Sequence, residues 1–304
     1  MTQDKPLISV IMLCYNQLQF VAEAIDGVLD QTYSPLEIVI VDDCSSDGTA
    51  EVIAAHIAKR GCENSVTFIR NPRNLSGRIS CINGLNMTSG SFVLQTCGDD
   101  VMMPEMIAEM ANVWLSENVS LVTTNAIYID ESSRPLNRTF RDPNIPADDS
   151  FETLARDGSN ACCFGAAIGF ERELYAKFGW PPAYLGAYDI MLPFYACLLK
   201  GARFISSPLL KYRVHRGNTS LSLRSETASS WEKAAFEERD YLVHLAHAVL
   251  MEEEITRLRA EVPERYGPIA DQILPLLGIQ MAEMSKKLVR ISRNSGTLAR
   301  HGQH

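Results

Sequence analysis

The chain is predicted to adopt an α/β fold, a mostly parallel sheet flanked by helices, with a helical C-terminal extension. Three observations lead there. From residue 7 to about residue 130, short β-branched runs alternate with segments of helical periodicity, the βαβ pattern. Two of those runs stop abruptly at paired carboxylates, Asp42-Asp43 and Asp99-Asp100. Beyond about Ser225 the strand-like runs cease and long amphipathic helical stretches take over.

The elements follow in order. Leu7 to Leu13 is a β-branched run suited to burial on both faces of a parallel sheet, and it ends at the turn-prone Cys14-Tyr15-Asn16-Gln17. Phe20, Val21, Ala24, Ile25, Val28 and Leu29 recur at helical spacing. Leu36 to Val41 is the next strand, and the capping residues Cys44 to Thr49 open a helix that runs to about Arg60. Val66 to Arg70 is a third strand, Ile79 to Met87 a short helix, and the apolar run from Ser91, which stops at Asp99-Asp100, a fourth strand. Pro104 marks the start of the following helix, because proline is tolerated in a first turn. Leu121 to Ile129 reads as a strand, and the polar, proline-punctuated stretch from Asp130 to Ser150 as a surface excursion. Ala166 to Phe170, a helix from Arg172 to Phe178, an apolar helix from Ile190 to Leu199 and a strand from Phe204 to Val214 complete this part. In the tail, Trp231 to Glu261 and Ile269 to Ile291 read as helices, with Pro263, Gly267-Pro268 and Pro275 as breaks or kinks.

Composition narrows the function classes. With 304 residues, 46% of them hydrophobic, the chain can bury one large core or two smaller ones. A net charge of −9 argues against a nucleic-acid backbone as partner. Eight cysteines without a CxxC pair or regular spacing predict reduced thiols in a cytoplasmic protein rather than a zinc or disulfide framework. The residues Met1 to Pro6 lack the form of a signal peptide, and no apolar run approaches the ~18 residues of a membrane span.

The chemistry is expected at the strand ends. Right-handed crossovers make the strands parallel, so Asp42-Asp43 and Asp99-Asp100 gather on one edge of the sheet, where open α/β sheets bind ligands. Two carboxylates there suit a hard divalent cation that also takes substrate phosphates. The bland alternative for Asp99 and Asp100 is a turn and a helix cap. No GxGxxG follows the first strand and no Walker A motif occurs, which disfavours dinucleotide and P-loop readings.

Several motifs in order resemble a known family. Ser9-Val10-Ile11 with Tyr15-Asn16, then Gln31-Thr32-Tyr33, then Glu37 to Asp43 with Ser45 and Asp47-Gly48-Thr49, are similar to the family 2 glycosyltransferases. Gly98-Asp99-Asp100 resembles that family's DXD motif, and Tyr212-Arg213-Val214-His215 with Ser220 resembles its YRxH…S segment. The likeness runs from about residue 7 to about residue 220. It implies a GT-A fold, with a catalytic domain over 1–225 and an extension over 226–304. It also implies inverting transfer from a nucleotide-diphosphate sugar of the UDP or dTDP type, in bacterial surface-polysaccharide or lipid-linked glycan assembly.

The roles implied by the resemblance are specific. Cys14, Tyr15 and Asn16 border the nucleotide, and Asp43 accepts the imide N–H of a uracil or thymine base. Asp42 is left between a functional and a structural role. Asp99 holds the ribose hydroxyls, and Asp100 reaches a Mg2+ or Mn2+ ion that bridges the phosphates. His215 ligates that metal or donates to the diphosphate, and Asp189, which precedes an apolar helix, is the catalytic base. There are departures from the pattern. Cys97 stands where many relatives have aspartate, and reads as a packed small residue. Ile82-Asn83 stands for a usual Arg-Asn pair, so Arg78 is expected to supply the positive charge. Tyr188 replaces the glutamate that often precedes the base.

Beyond the resemblance, Lys286, Lys287, Arg290, Arg293 and Arg300 make the tail basic, which fits either a solvated helix end or contact with an anionic membrane surface. A homo-oligomer contact through these helices is a further expectation. The expected partners are thus a nucleotide-sugar donor and a glycan or lipid-linked glycan acceptor, with peripheral placement at the inner face of the membrane. Two alternatives stand beside this reading. A sugar-phosphate nucleotidyltransferase would carry a glycine-rich basic loop after the first strand, which is missing here. A catalytically inactive nucleotide-sugar-binding protein would have lost Asp100 or Asp189, and both are present.

Overall fold

The computed structural model describes residues 5–144, 165–180, 191–218 and 230–301. These fall into two compact units, one of residues 5–144, 165–180 and 195–213, the other of residues 191–194, 214–218 and 230–301.

The first unit is built on a nine-stranded sheet. Its strands are β1 (Ile8–Cys14), β2 (Leu36–Asp42), β3 (Val66–Arg70), β4 (Phe92–Cys97), β5 (Val101–Met102), β6 (Leu121–Ile129), β7 (Pro135–Thr139), β8 (Ile168–Glu171) and β9 (Ala202–Arg213). They lie in the order β3-β2-β1-β4-β8-β6-β9-β5, with β7 paired to β6. Helices α1 (Val21–Leu29), α2 (Thr49–Arg60), α3 (Ser76–Asn86), α4 (Met106–Glu117) and α5 (Arg172–Phe178) connect them, and α6 (Met191–Leu199) precedes β9.

The local sequence explains the central strands. β1 is buried almost throughout, with Ile8, Val10 and Met12 in the core, so β-branched and apolar residues occupy both faces. β1 pairs in parallel with β2 on one side and β4 on the other, with Cys14 opposite Asp42 and Leu13 opposite Cys97. The carboxyl ends of all three strands therefore meet at one edge. The other end of the sheet is tied down by two side chains. Arg172 donates to the Gly90 carbonyl at 2.8 Å and the Thr88 hydroxyl at 2.8 Å. Glu37 accepts from the Ser9 hydroxyl at 2.6 Å and the Gly90 N–H at 2.6 Å. Burial raises the Glu37 carboxyl, but hydrogen bonds from Ser9, Ser89 and Gly90 together outweigh that and hold it below the usual range.

The sheet is mostly parallel, as expected, and three other expectations need correction. β3, β2, β1 and β4 run parallel to one another, and β6 and β9 form a second parallel pair. β8 runs antiparallel to both β4 and β6. The excursion after β6 contains a strand, β7, whose residues are mostly exposed, so it carries no apolar alternation to reveal it. A two-residue strand, β5, follows the acidic pair and pairs with β9, which delays α4 to Met106.

The third correction concerns the second unit. Helix α7 (Ser230–Glu261) and helix α8 (Pro263–His301) form an antiparallel hairpin broken at Val262. Pro263 occupies the first helical position, as expected. Pro268 and Pro275 lie inside α8 without ending it. Each removes one backbone hydrogen bond, but Glu264 and Asp271, whose carbonyls lose the partner, are exposed and can turn to water. Ile255, Leu258, Tyr266, Ile273 and Leu277 bury the seam, and Arg259 pairs with Asp271 at 3.0 Å. No helix of the described residues is long and apolar enough to cross a membrane.

Candidate active site

The carboxyl edge of β1, β2 and β4 is assembled from backbone continuations of the sheet. The Asp43 N–H donates to the Cys14 carbonyl at 2.9 Å, and the Gly98 N–H to the Leu13 carbonyl at 2.9 Å. Gly98 is needed here for room: a Cβ would lie 2.6 Å from the Cys14 sulfur and 2.6 Å from Gln17 Oε1. The loops after β1 and β2 are laced together. Asn16 N–H donates to Ser45 Oγ at 2.9 Å, Ser46 N–H to Asn16 Oδ1 at 2.9 Å, and Gln17 N–H to Thr49 Oγ1 at 2.7 Å. Asn16 sits at a positive φ of 52°, which asparagine tolerates better than most residues. Its side chain braces this loop pair, while the neighbouring Tyr15 is half exposed along the rim.

Asp43 is the centre of a second network. Its Oδ1 accepts from Asn71 Nδ2 at 2.9 Å and from the Leu75 N–H at 2.8 Å. Asn71 in turn donates to Ser80 Oγ at 2.8 Å and accepts from Asn83 Nδ2 at 3.1 Å. Asp42 is fully buried, with Oδ2 accepting the Ser45 N–H at 3.0 Å and Oδ1 without a hydrogen-bond partner. Arg78, half buried, is on the first turn of α3.

The acidic pair lies in a tight turn between β4 and β5. Asp99 and Asp100 are both buried, and ligand atoms of Cys97, Asp99 and Asp100 all lie within 4.8 Å of one another. Burial and the neighbouring Asp99 charge push the Asp100 carboxyl well up, against the pull of the Arg213 N–H bond and charge. Burial also raises the Cys97 and Cys14 thiols, with adjacent carboxylates adding to it. Two adjacent buried carboxylates fit a divalent cation, which would supply the missing counter-charge. The thiol of Cys97 is the third group in reach.

Sequence reasoning did not find the residues that hold this turn. Gln31, at the end of α1, donates to the Met103 carbonyl at 2.7 Å and accepts the Ile107 N–H at 2.9 Å, so it clamps the segment after the pair. Its place in the Gln31-Thr32-Tyr33 motif was the available signal. Arg213 donates through its backbone N–H to Asp100 Oδ1 at 2.9 Å and through Nε to the Asp99 carbonyl at 2.8 Å.

His215 belongs to the second unit. Its N–H donates to Asn218 Oδ1 at 2.6 Å, and its Nδ1 accepts the Gly217 N–H at 3.1 Å. With Nδ1 an acceptor, the neutral ring carries its proton on Nε2. Asp189 lies outside the described residues, as does Tyr188. The six described cysteines are free thiols.

An α/β sheet of this order, with polar loops and an acidic turn at its carboxyl edge, defines a glycosyltransferase of the GT-A class. Residues 9–179, more than half of the chain, match glycosyl transferase family 2, and the chain belongs to that family. It is 26% identical over 231 residues to an uncharacterised glycosyltransferase of a Nostoc species, covering 75% of this chain and 70% of that one. It is 24% identical over 153 residues to TuaG of Bacillus subtilis, a putative teichuronic acid biosynthesis glycosyltransferase, covering 50% of this chain and 60% of TuaG. Among solved structures it resembles Staphylococcus aureus TarS 1–349 in complex with UDP-GlcNAc, with a TM-score of 0.57 and 19% identity, over 82% of this chain and 66% of that one. It also resembles the mannosyltransferase PcManGT of Pyrobaculum calidifontis in complex with GDP-Man and Mn2+, with a TM-score of 0.56 and 18% identity, over 97% and 81%. At these identities the two structures establish the GT-A fold. Family membership sets aside the nucleotidyltransferase alternative.

The buried acidic pair yields a stability prediction. Asp100→Asn keeps an acceptor for the Arg213 N–H and removes one buried charge. In EDTA at pH 7.5 the variant is expected to be more stable than the parent by about 1 kcal/mol in urea unfolding. A carboxyl with a raised folded-state pKa weakens the fold as pH rises through that value, so the difference should shrink on acidification. A variant no more stable than the parent at pH 7.5 would contradict the cost assigned to this charge.

Proposed function

We propose that this chain moves a sugar from a nucleotide-diphosphate sugar to an acceptor hydroxyl with inversion, by a metal-assisted single displacement. The observation that carries this reading is the convergence of Cys97, Asp99 and Asp100 at the carboxyl edge of a family 2 fold. The donor is of the UDP or dTDP type. Asp43 supports that choice: two donors already saturate its Oδ1, so its Oδ2 faces the role of accepting the imide N–H. Tyr15 and Asn16 form the rim of the nucleotide site above the buried Cys14, Asp99 receives the ribose hydroxyls, and Arg78 adds positive charge. TarS bound to UDP-GlcNAc and PcManGT bound to GDP-Man and Mn2+ are consistent neighbours.

Asp100, with Asp99 beside it, would hold Mg2+ or Mn2+, which when bound neutralises charge on the leaving diphosphate. His215, protonated at Nε2, suits donation to a diphosphate oxygen better than ligation through that nitrogen. Asp189 takes the proton of the acceptor hydroxyl as it attacks the anomeric carbon. The likeness to TuaG supports a place in bacterial surface-polysaccharide or lipid-linked glycan assembly. In the second unit, the exposed Ile279 and Val289 beside the exposed Lys286 and Arg290 support a peripheral contact with an anionic membrane face.

Two experiments bear on this reading. Asp189→Asn keeps the size of the side chain but takes no proton. Donor affinity near the parent's is expected, with transfer reduced by roughly 10²–10⁴-fold. Calorimetry beside a transfer assay decides it: lost donor binding would make Asp189 structural, and full activity would place the base elsewhere. For the tail, co-sedimentation with phosphatidylglycerol vesicles is expected and should disappear in Lys286→Glu/Arg290→Glu. Sedimentation unchanged by that double substitution would rule out the basic stripe as the contact.

A further inference from the structure

We propose that Arg213 is the positioning residue of the acidic pair, acting on both carboxylate residues while itself contacting neither donor nor acceptor. The inference deepens the metal-assisted reading above and rests on it. Arg213 is fully buried at the end of β9, 113 residues from Asp100 in sequence. It grips the turn from both of its ends. The backbone N–H donates to Asp100 Oδ1 at 2.9 Å, and the side-chain Nε donates to the Asp99 carbonyl at 2.8 Å. The first bond engages one oxygen of Asp100 and so fixes the direction of the other. The second fixes the backbone between the two carboxylates.

The guanidinium is held in turn by groups from other elements. Its terminal nitrogens donate to the Ser133 hydroxyl at 2.9 Å, to the Asp130 carbonyl at 3.2 Å and to Glu23 Oε2 at 2.6 Å. The Phe20 ring lies 4.9 Å from its central carbon. The planar fork of arginine can meet four acceptors on three segments of the chain at once, and lysine has no such geometry. Burying this cation costs free energy that only its complete set of partners offsets. A residue needed simply to fill space would not require a buried charge. The consequence drawn here is that the turn is preorganised to place the pair, so that little rearrangement accompanies cation and diphosphate binding.

The role separates from a merely structural one by comparing two probes. Uridine reports the nucleoside part of the site, and UDP with Mn2+ reports the acidic pair. For the parent, Mn2+ should raise UDP affinity well above its value in EDTA. Arg213→Lys is expected to reduce that Mn2+-dependent gain by 10-fold or more while uridine affinity stays within about 2-fold. Glu23→Ala removes the paired carboxylate from a half-exposed position on α1 and should reduce the gain several-fold, which carries the test if Arg213→Lys does not fold. A gain equal to the parent's in either folded variant would overturn the proposal. So would uridine and UDP weakening in parallel, since that marks general loss of structure. A parent protein without any Mn2+ gain would instead remove the metal-assisted reading itself.

Discussion

Buried negative charge at the ends of parallel strands is the constraint around which this protein is arranged. Asp42, Asp43, Asp99 and Asp100 are all buried where β2 and β4 stop. Carboxylates in that position cost free energy unless donors and counter-charges surround them. Three of them are answered differently. Asp43 is met by Asn71 and the Leu75 N–H, Asp42 by the Ser45 N–H, and Asp100 by the backbone of Arg213. The arrangement leaves negative potential at the acidic turn, where Asp100 is pushed toward protonation. A site that stores this cost in the free protein is prepared to release it on binding a cation.

The same constraint accounts for features that look unrelated to chemistry. Gly98 is small so that the turn can approach Cys14 and Gln17. Gln31 ties the segment after the pair to α1 through Met103 and Ile107. The loops after β1 and β2 are laced by Asn16, Ser45, Ser46 and Thr49, so this edge is fixed by side chains rather than by a glycine-rich turn. Function in this fold depends on rigid strands presenting short, heavily braced loops.

The central strands and the acidic edge were legible in the sequence because both signals are local. β1, β2 and β4 are continuous apolar runs that end in polar residues, and periodicity reads such runs directly. What escaped was non-local or had no apolar signature. Arg213 meets Asp100 across 113 residues, and Asn71 meets Asp43 across 28, so no window contains either pair. β7 is exposed on an edge and β5 is two residues long, and neither leaves a periodic trace. The prolines of α8 mislead for a different reason: propensity counts the lost hydrogen bond but not the solvent available to the freed carbonyl. The motifs pointed to the residues, and the structure shows the braces around them.

The most direct test is anomalous diffraction from crystals grown with Mn2+ and UDP. The account requires a manganese peak about 2–2.5 Å from a carboxylate oxygen of Asp100. It also requires the diphosphate on the other side of the ion and the Arg213 N–H still bonded to Asp100. A peak held by other residues, or a UDP molecule bound at this edge with no metal at Asp100, would contradict it.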